Sequence, residues 1–326
     1  MYYRFLVLFI GSIFSFQAFA FNVNEVSSKG LKQLYGFLVG QSAAIELGKK
    51  AAPELAHQYR LAQLKFDANF PGVQKKLEAI LKEELTEDQW IELQRVARES
   101  LRTQLDGLNV TPEVAGVFLK ELQGRADGVI SSPMLQYLLA VQFEKSPVSE
   151  FLQGYRQNYV GDGKGKAKGL FFNLQIPLSW KGKDGDRPNI VQSWTSANGT
   201  GLESMSAMVK IVPNNITKDD ILETIKTPEG QKTLVPERTK IIKAQAITIE
   251  TYPGYHIEYE IPTERVGDTI YSSASIYAVF TKTHMFVLNC MAGSNDMSHA
   301  RASFKNLRPL CQQVASSIVL PQRYAP

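Results

Sequence analysis

The sequence is poor in the residues that most often carry chemistry. It has two cysteines, four histidines and three tryptophans in 326 residues. Two cysteines allow one internal disulfide and exclude a disulfide-dense scaffold. Neither sits in a Cys-x-x-Cys pair, so a thioredoxin-like or zinc-knuckle role has no support. One-signed charge is also scarce. Lys+Arg number 36 against 32 Asp+Glu, and a net +4 is too small an excess to imply nucleic acid. No Gly-x-Ser-x-Gly elbow is present, and His57 with Glu54 lacks the His-Glu-x-x-His spacing of a zinc protease. After residue 20 no stretch offers 18 apolar residues free of charge. The longest, Ser273 to Met291, is interrupted by Lys282 and His284, so no integral membrane segment is expected in the mature chain. The remaining composition, 44% hydrophobic and 21% charged, is that of a globular chain, and its length suggests two domains.

What is present begins at the N-terminus. Arg4, an uncharged run from Phe5 to Phe14, and an Ala18-Phe-Ala20 ending are the three parts of a secretory signal peptide. Cleavage is expected after Ala20, with Phe21 as the mature N-terminus and a periplasmic or secreted location. In that oxidising space Cys290 and Cys311 are expected to form a disulfide, with two buried free thiols as the alternative. Closing a loop of about 20 residues would stabilise the fold by ~3 kcal/mol.

The mature chain changes character midway. Residues 21–155 read as an all-α helical domain. Thr86 and Gln89 form a capping box, and Trp90, Leu93, Ala97, Leu101 and Leu105 make one helical stripe ending before Gly107. Thr111-Pro112, Ser132-Pro133 and Ser146-Pro147 each pair a capping residue with proline at the first helical position. This half holds 15 basic and 17 acidic residues, a balance that suits a packing or docking module. Residues 161–169 alternate glycine and lysine; without a Gly-Lys-Ser/Thr ending, 156–169 reads as a flexible linker rather than a phosphate loop. Residues 170–320 switch to strand periodicity with short connections, the pattern of an α+β domain built on an antiparallel sheet, and 321–326 form a tail.

The order of elements in 170–320 carries a resemblance. It runs from Ile176-Pro177-Leu178-Ser179-Trp180 through Val212-Pro213 to a helix opened by Thr217-Lys-Asp-Asp220. The hairpin at Gly254 follows, with Glu258-Tyr259-Glu260, then the strands Ile276 to Phe280 and Phe286 to Leu288, and a helix closing on Ser316-Ser317-Ile318. This resembles the PsbP-like superfamily, whose fold is an α/β/α sandwich around an antiparallel sheet. Members include photosystem extrinsic proteins, a nuclear-transport cofactor that binds a small GTPase, and bacterial envelope proteins. The resemblance implies a non-enzymatic binding or assembly role and brings no catalytic motif with it.

Three groups of residues invite a chemical reading. In the run from Tyr255 to Ile261, period two puts Tyr255, Ile257, Tyr259 and Ile261 on one face and His256, Glu258 and Glu260 on the other. That polar trio is a weak metal candidate, since same-face neighbours stand ~6.5–7 Å apart along a strand. A solvated face, or ion pairs with Lys240 or Lys243, is the alternative. Ser294, Asp296, Ser298 and His299 gather triad-type residues in one turn, which suits a helix cap better than catalysis. Trp180, Arg187 and Trp194 surround the loop 181–188 and offer a recognition surface, unless the indoles pack beneath it. The expected function is therefore an exported, non-catalytic interaction or assembly factor of the bacterial envelope, or a secreted equivalent, with a protein partner and no cofactor. A metal-assisted hydrolase using His256 and Glu258, and a small-ligand or lipid carrier with a pocket between sheet and helix, are the alternatives.

Overall fold

The structure, a computed structural model, describes residues 25–105, 109–212, 215–265 and 268–321. The signal-peptide reading over 1–20, Gly107, Pro213 and the last five residues lie outside the described residues. The chain divides into two compact units, one of residues 22–144 and one that contains residues 145–326.

The first unit is helical. Its elements are α1 (Glu25–Ala51), a 3-10 turn (Pro53–Leu55), α2 (Ala56–Asn69), α3 (Val73–Glu84), α4 (Glu87–Leu105), α5 (Pro112–Ala126) and α6 (Met134–Gln142). Proline at 53 lacks the N–H that would continue α1, so the long apolar segment breaks there. The capping box forms: Thr86 N–H donates to Gln89 Oε1 at 3.0 Å and Gln89 N–H to Thr86 Oγ1 at 3.3 Å. Pro112 opens α5 under a Thr111 cap, but Pro133 takes the cap position itself and α6 starts at Met134. Helix α1 packs against α3, α4, α5 and α6, which makes it the spine of the unit. Four glycines in α1 serve two purposes. At Gly30 and Gly48 a Cβ would fall 2.3 Å from Tyr137 Cζ and 2.0 Å from Tyr59 Oη, so these glycines admit buried tyrosines. At Gly36 and Gly40 a Cβ would meet nothing within 4 Å. Each costs a helix interior about 1 kcal/mol relative to alanine, with no packing contact to offset it.

The second unit begins earlier than expected. Helix α7 (Pro147–Leu152) belongs to it, and Phe151 lies in its core. The stretch 156–169 is not a linker. It contains β1 (Arg156–Asp162), paired along its length with β2 (Phe171–Pro177), and a 3-10 turn at Gly165–Ala167. Glycine and lysine alternate there because a tight turn needs positive φ at Gly163, Gly165, Lys168 and Gly169. The main sheet has seven antiparallel strands in the order β3 (Lys181–Asp184), β4 (Ile190–Thr195), β5 (Glu203–Ile211), β9 (His284–Ser294), β8 (Asp268–Phe280), β7 (Tyr252–Arg265) and β6 (Lys240–Ile249). Helices α8 (Lys218–Lys226) and α9 (Pro228–Lys232) precede β6, and α10 (Met297–Ser316) closes the unit.

One sheet face meets α8 through Tyr255, Ile257, Tyr259, Ile261 and Ile276. The other meets α10, α7 and the β1–β2 ribbon through Phe172, Phe286, Leu288, Phe304 and Leu307. Burying each such side chain contributes roughly 1.5–3 kcal/mol. The result is the expected helix–sheet–helix sandwich. One local expectation changes: the β6–β7 turn is Glu250-Thr251, with Glu250 at φ 54°, rather than at Gly254. In the turn that gathers Ser294, Asp296, Ser298 and His299, the cap of α10 is Asp296, which accepts from His299 N–H at 3.0 Å.

Candidate functional site

Strand pairing builds a polar seam on the α10 side of the sheet. One rung runs Gln245, His256, Tyr277, Leu288 across β6, β7, β8 and β9. The next runs Lys243, Glu258, Ser275, Cys290. A third begins Lys240, Glu260, Ser273. The period-two reading of His256, Glu258 and Glu260 therefore holds, but their face is not solvated. All three are buried, because α10 lies across β8 and β9 and projects Arg301 and Arg308 toward them. Those arginines stand seven apart, two helical turns, and reach carboxylates two residues apart on β7.

The carboxylates are committed. Arg301 grips Glu260 with two parallel hydrogen bonds, Nε to Oε1 at 2.6 Å and Nη2 to Oε2 at 2.7 Å, while Lys240 stands 3.9 Å away. The guanidinium holds the Glu260 carboxyl below its ordinary range. Arg308 Nη1 reaches Glu258 Oε2 at 3.5 Å. His256 stacks on Tyr277, centroids 4.3 Å apart. The Gln245 amide faces its Nδ1 at 3.3 Å, which leaves the ring proton on Nε2, 3.9 Å from Glu258 Oε1. Burial pushes the imidazole pKa down, with Lys243 and Arg308 adding to the shift and Glu258 opposing it. The ring is therefore neutral near pH 7. His256 Nε2, Ser275 Oγ and Tyr277 Oη are buried without a hydrogen-bond partner. Chemically this is a neutral imidazole held next to a guanidinium-paired carboxylate. Among the described residues no three His, Cys, Asp or Glu side chains converge as a metal set, so the trio does not assemble as a ligand group.

Cys290 and Cys311 meet in the same layer, but as free, fully buried thiols. The expected disulfide is thus not formed; β9 and α10 bring the two side chains close enough to hydrogen-bond, and burial pushes the Cys290 thiol pKa well up. A thiol held protonated in a dry core reacts poorly. Folded protein should resist iodoacetamide at both positions, and unfolding without reductant should expose two alkylatable cysteines by mass spectrometry. Failure to label after unfolding would instead reveal a bond.

The tryptophan pair does not form a recognition surface. Trp180 and Trp194 are both 3% exposed. Trp194 packs edge-on against Tyr159 at 5.0 Å beneath the β3–β4 hairpin, and Arg187 is half-buried. His57 is exposed on α2. His284 bridges Lys168 C=O and Thr283 Oγ1 at 2.9 Å each, and His299 belongs to the α10 cap.

One group escaped the sequence reading. Glu150 of α7 is 2% exposed. It accepts from Ser179 N–H at 2.7 Å and Ser179 Oγ at 2.6 Å. With only neutral donors around it, burial raises its pKa to about 7. No local pattern could have signalled this, since the partner lies 29 residues away in a loop.

No protein-family model matches the chain, and no curated protein matches it. Solved structures do. Cyanobacterial PsbP from Synechocystis is 18% identical over 51% of this chain and 92% of its own, with a TM-score of 0.35. The Ran-binding protein Mog1p from Saccharomyces cerevisiae is 8% identical over 51% and 95%, TM-score 0.34. LpqN of Mycobacterium tuberculosis, described as involved in cell envelope biogenesis, is 11% identical over 54% and 96%, TM-score 0.32. Each of these likenesses covers about half of this chain and nearly the whole of the other.

Proposed function

We propose that the chain is an exported, non-catalytic interaction or assembly factor of the bacterial envelope, acting through a protein partner. Export rests on the tripartite pattern of residues 1–20. Among the described residues no helix is long and apolar enough to cross a membrane.

The observation that carries the interaction reading is a contrast in the second unit. Its reactive side chains are enclosed: His256, Glu258 and Cys290 lie beneath α10, and Cys311 is on the buried face of that helix. Three exposed apolar side chains, Val160, Phe171 and Val319, group at the β1–β2 ribbon, while Leu152, Ile211 and Ile242 are exposed elsewhere. Val160 stands directly opposite Asn173, and Val319 bridges to Asn173 from the other side. Phe171 lies two residues from Asn173 on the same face. Val160 is 64% exposed and Phe171 48%. Apolar residues grouped on an edge ribbon are a recurrent mark of docking surfaces. The hydrolase reading requires substrate to reach His256 and Glu258, and α10 stands over both.

Recovery from envelope extract tests this. The intact chain should retain a stoichiometric protein partner, and Val160→Glu with Phe171→Glu should lose it while keeping the parent's melting temperature within a few degrees. Absence of any stoichiometric partner, or unchanged recovery by the double variant, counts against the reading. Hydrolytic activity lost in His256→Ala would favour the enzyme instead.

A further inference from the structure

The helical unit contains a cavity of about 380 Å³ between α1, α2, α4 and α5. That volume falls in the range of small-molecule sites, roughly 300–1,000 Å³. Its walls are unequal in chemistry. Phe37, Phe118, Leu122 and other apolar side chains supply about half of its surface, and Gly36 and Gly40 of α1 line one side. At one place the wall is polar. Arg125 of α5 lies over the Phe37 ring, 4.6 Å from guanidinium carbon to centroid. Its Nη1 donates to Oε1 of the buried Gln41 at 3.2 Å, and Glu121 stands 3.6 Å from Nη2.

Two independent features call for an occupant. Gly36 and Gly40 weaken the spine helix and admit no neighbouring side chain, unlike Gly30 and Gly48. Side chains at these positions would grow into open space along the cavity wall, so the glycines keep it open. Arg125 is the second. Its side chain is only 26% exposed, yet its acidic neighbour among the described residues, Glu121, is 60% exposed and beyond ordinary hydrogen-bond length. A guanidinium presents five donors in a planar fork that matches a carboxylate.

We propose that this cavity binds a carboxylate-headed amphiphile, its apolar tail along the Gly36–Gly40 wall between Phe37 and Phe118 and its head on Arg125. The stacking of Arg125 on Phe37 and its bond to Gln41 hold the fork in place before the ligand arrives, which lowers the ordering penalty of binding. The proposal is independent of the partner reading, since the cavity lies wholly within residues 36–125.

Calorimetric titration of the full chain with decanoate tests it, with decanol and acetate as single-feature controls. Decanoate should bind saturably, decanol at least tenfold more weakly, and acetate not measurably. Arg125→Gln should weaken decanoate at least tenfold and leave decanol unchanged. Gly40→Leu should abolish binding. Should that variant fail to fold, the double change Gly36→Ala and Gly40→Ala serves, raising the melting temperature while weakening decanoate several-fold. Absence of saturable decanoate binding, equal affinity for decanol, or undiminished binding in the arginine and glycine variants would each overturn the proposal.

Discussion

Glu150→Gln should stabilise the sheet unit at pH 8 by up to about 3 kcal/mol and leave it nearly unchanged at pH 4.5. The folded carboxyl has its pKa raised to about 7 from an ordinary 4.5. Between those values the unfolded chain is ionised and the folded chain still holds a proton. Stability is therefore fully present below pH 4.5 and is lost as pH rises through 7. At 1.36 kcal/mol per unit, that interval corresponds to about 3 kcal/mol. The protonated acid keeps both contacts: Oε1 still accepts from Ser179 N–H, and the acidic proton donates to Ser179 Oγ. Glutamine reproduces that arrangement with Oε1 and Nε2 at every pH. Urea unfolding followed by the fluorescence of Trp180, which adjoins Ser179, reads the relevant unit. A parent and a variant with equal loss of stability between pH 4.5 and 8 would show that Glu150 ionises normally.

Glu150 also marks where sequence reasoning stops. Periodicity placed His256, Glu258 and Glu260 on one face of β7 and the apolar residues on the other, because alternation is a property of the strand itself. It could not say which face meets water. That depends on α10, whose Arg301 and Arg308 lie some forty to fifty residues downstream. A signal was available: two arginines seven apart on a helix that also buries Phe304, Leu307 and Cys311 place positive charge at the edge of a core-facing stripe. The glycine–lysine run at 161–169 misled for a related reason. Glycine reports a backbone that needs positive φ, and both a flexible linker and a tight hairpin meet that description. Pairing with Phe171–Pro177 settles the matter, and pairing is non-local. The cavity in the helical unit was least legible of all. Gly36 and Gly40 look in sequence like Gly30 and Gly48; only the neighbours of each missing Cβ distinguish them.

Glu260 and Arg301 present the opposite pH sign. Arg301→Ala should destabilise the sheet unit at pH 7, and by more than Arg308→Ala does. Arg301 makes two short, parallel bonds to a carboxylate that is nearly enclosed; Arg308 makes one of 3.5 Å. Removing a partner from a buried charge leaves a desolvated group unpaired, which outweighs the net value of the intact pair. Both arginines are about half exposed, and Lys240 remains 3.9 Å from Glu260, so the effect stays well below that of a fully buried pair. Because the guanidinium lowers the Glu260 pKa beneath 4.5, the pair's contribution is present above pH 4.5 and is lost as pH falls through the folded value. Arg301→Ala should accordingly flatten the acid limb of the stability profile, as Glu150→Gln flattens the neutral one. Denaturant midpoints from pH 3 to 8 check both. An Arg301→Ala protein with an unaltered acid limb would mean that Glu260 gains nothing from its guanidinium. Two enclosed carboxylates of one unit thus respond to pH in opposite directions because one faces a cation and the other only neutral donors, so their combined contribution to stability peaks near pH 4.5 and declines on either side.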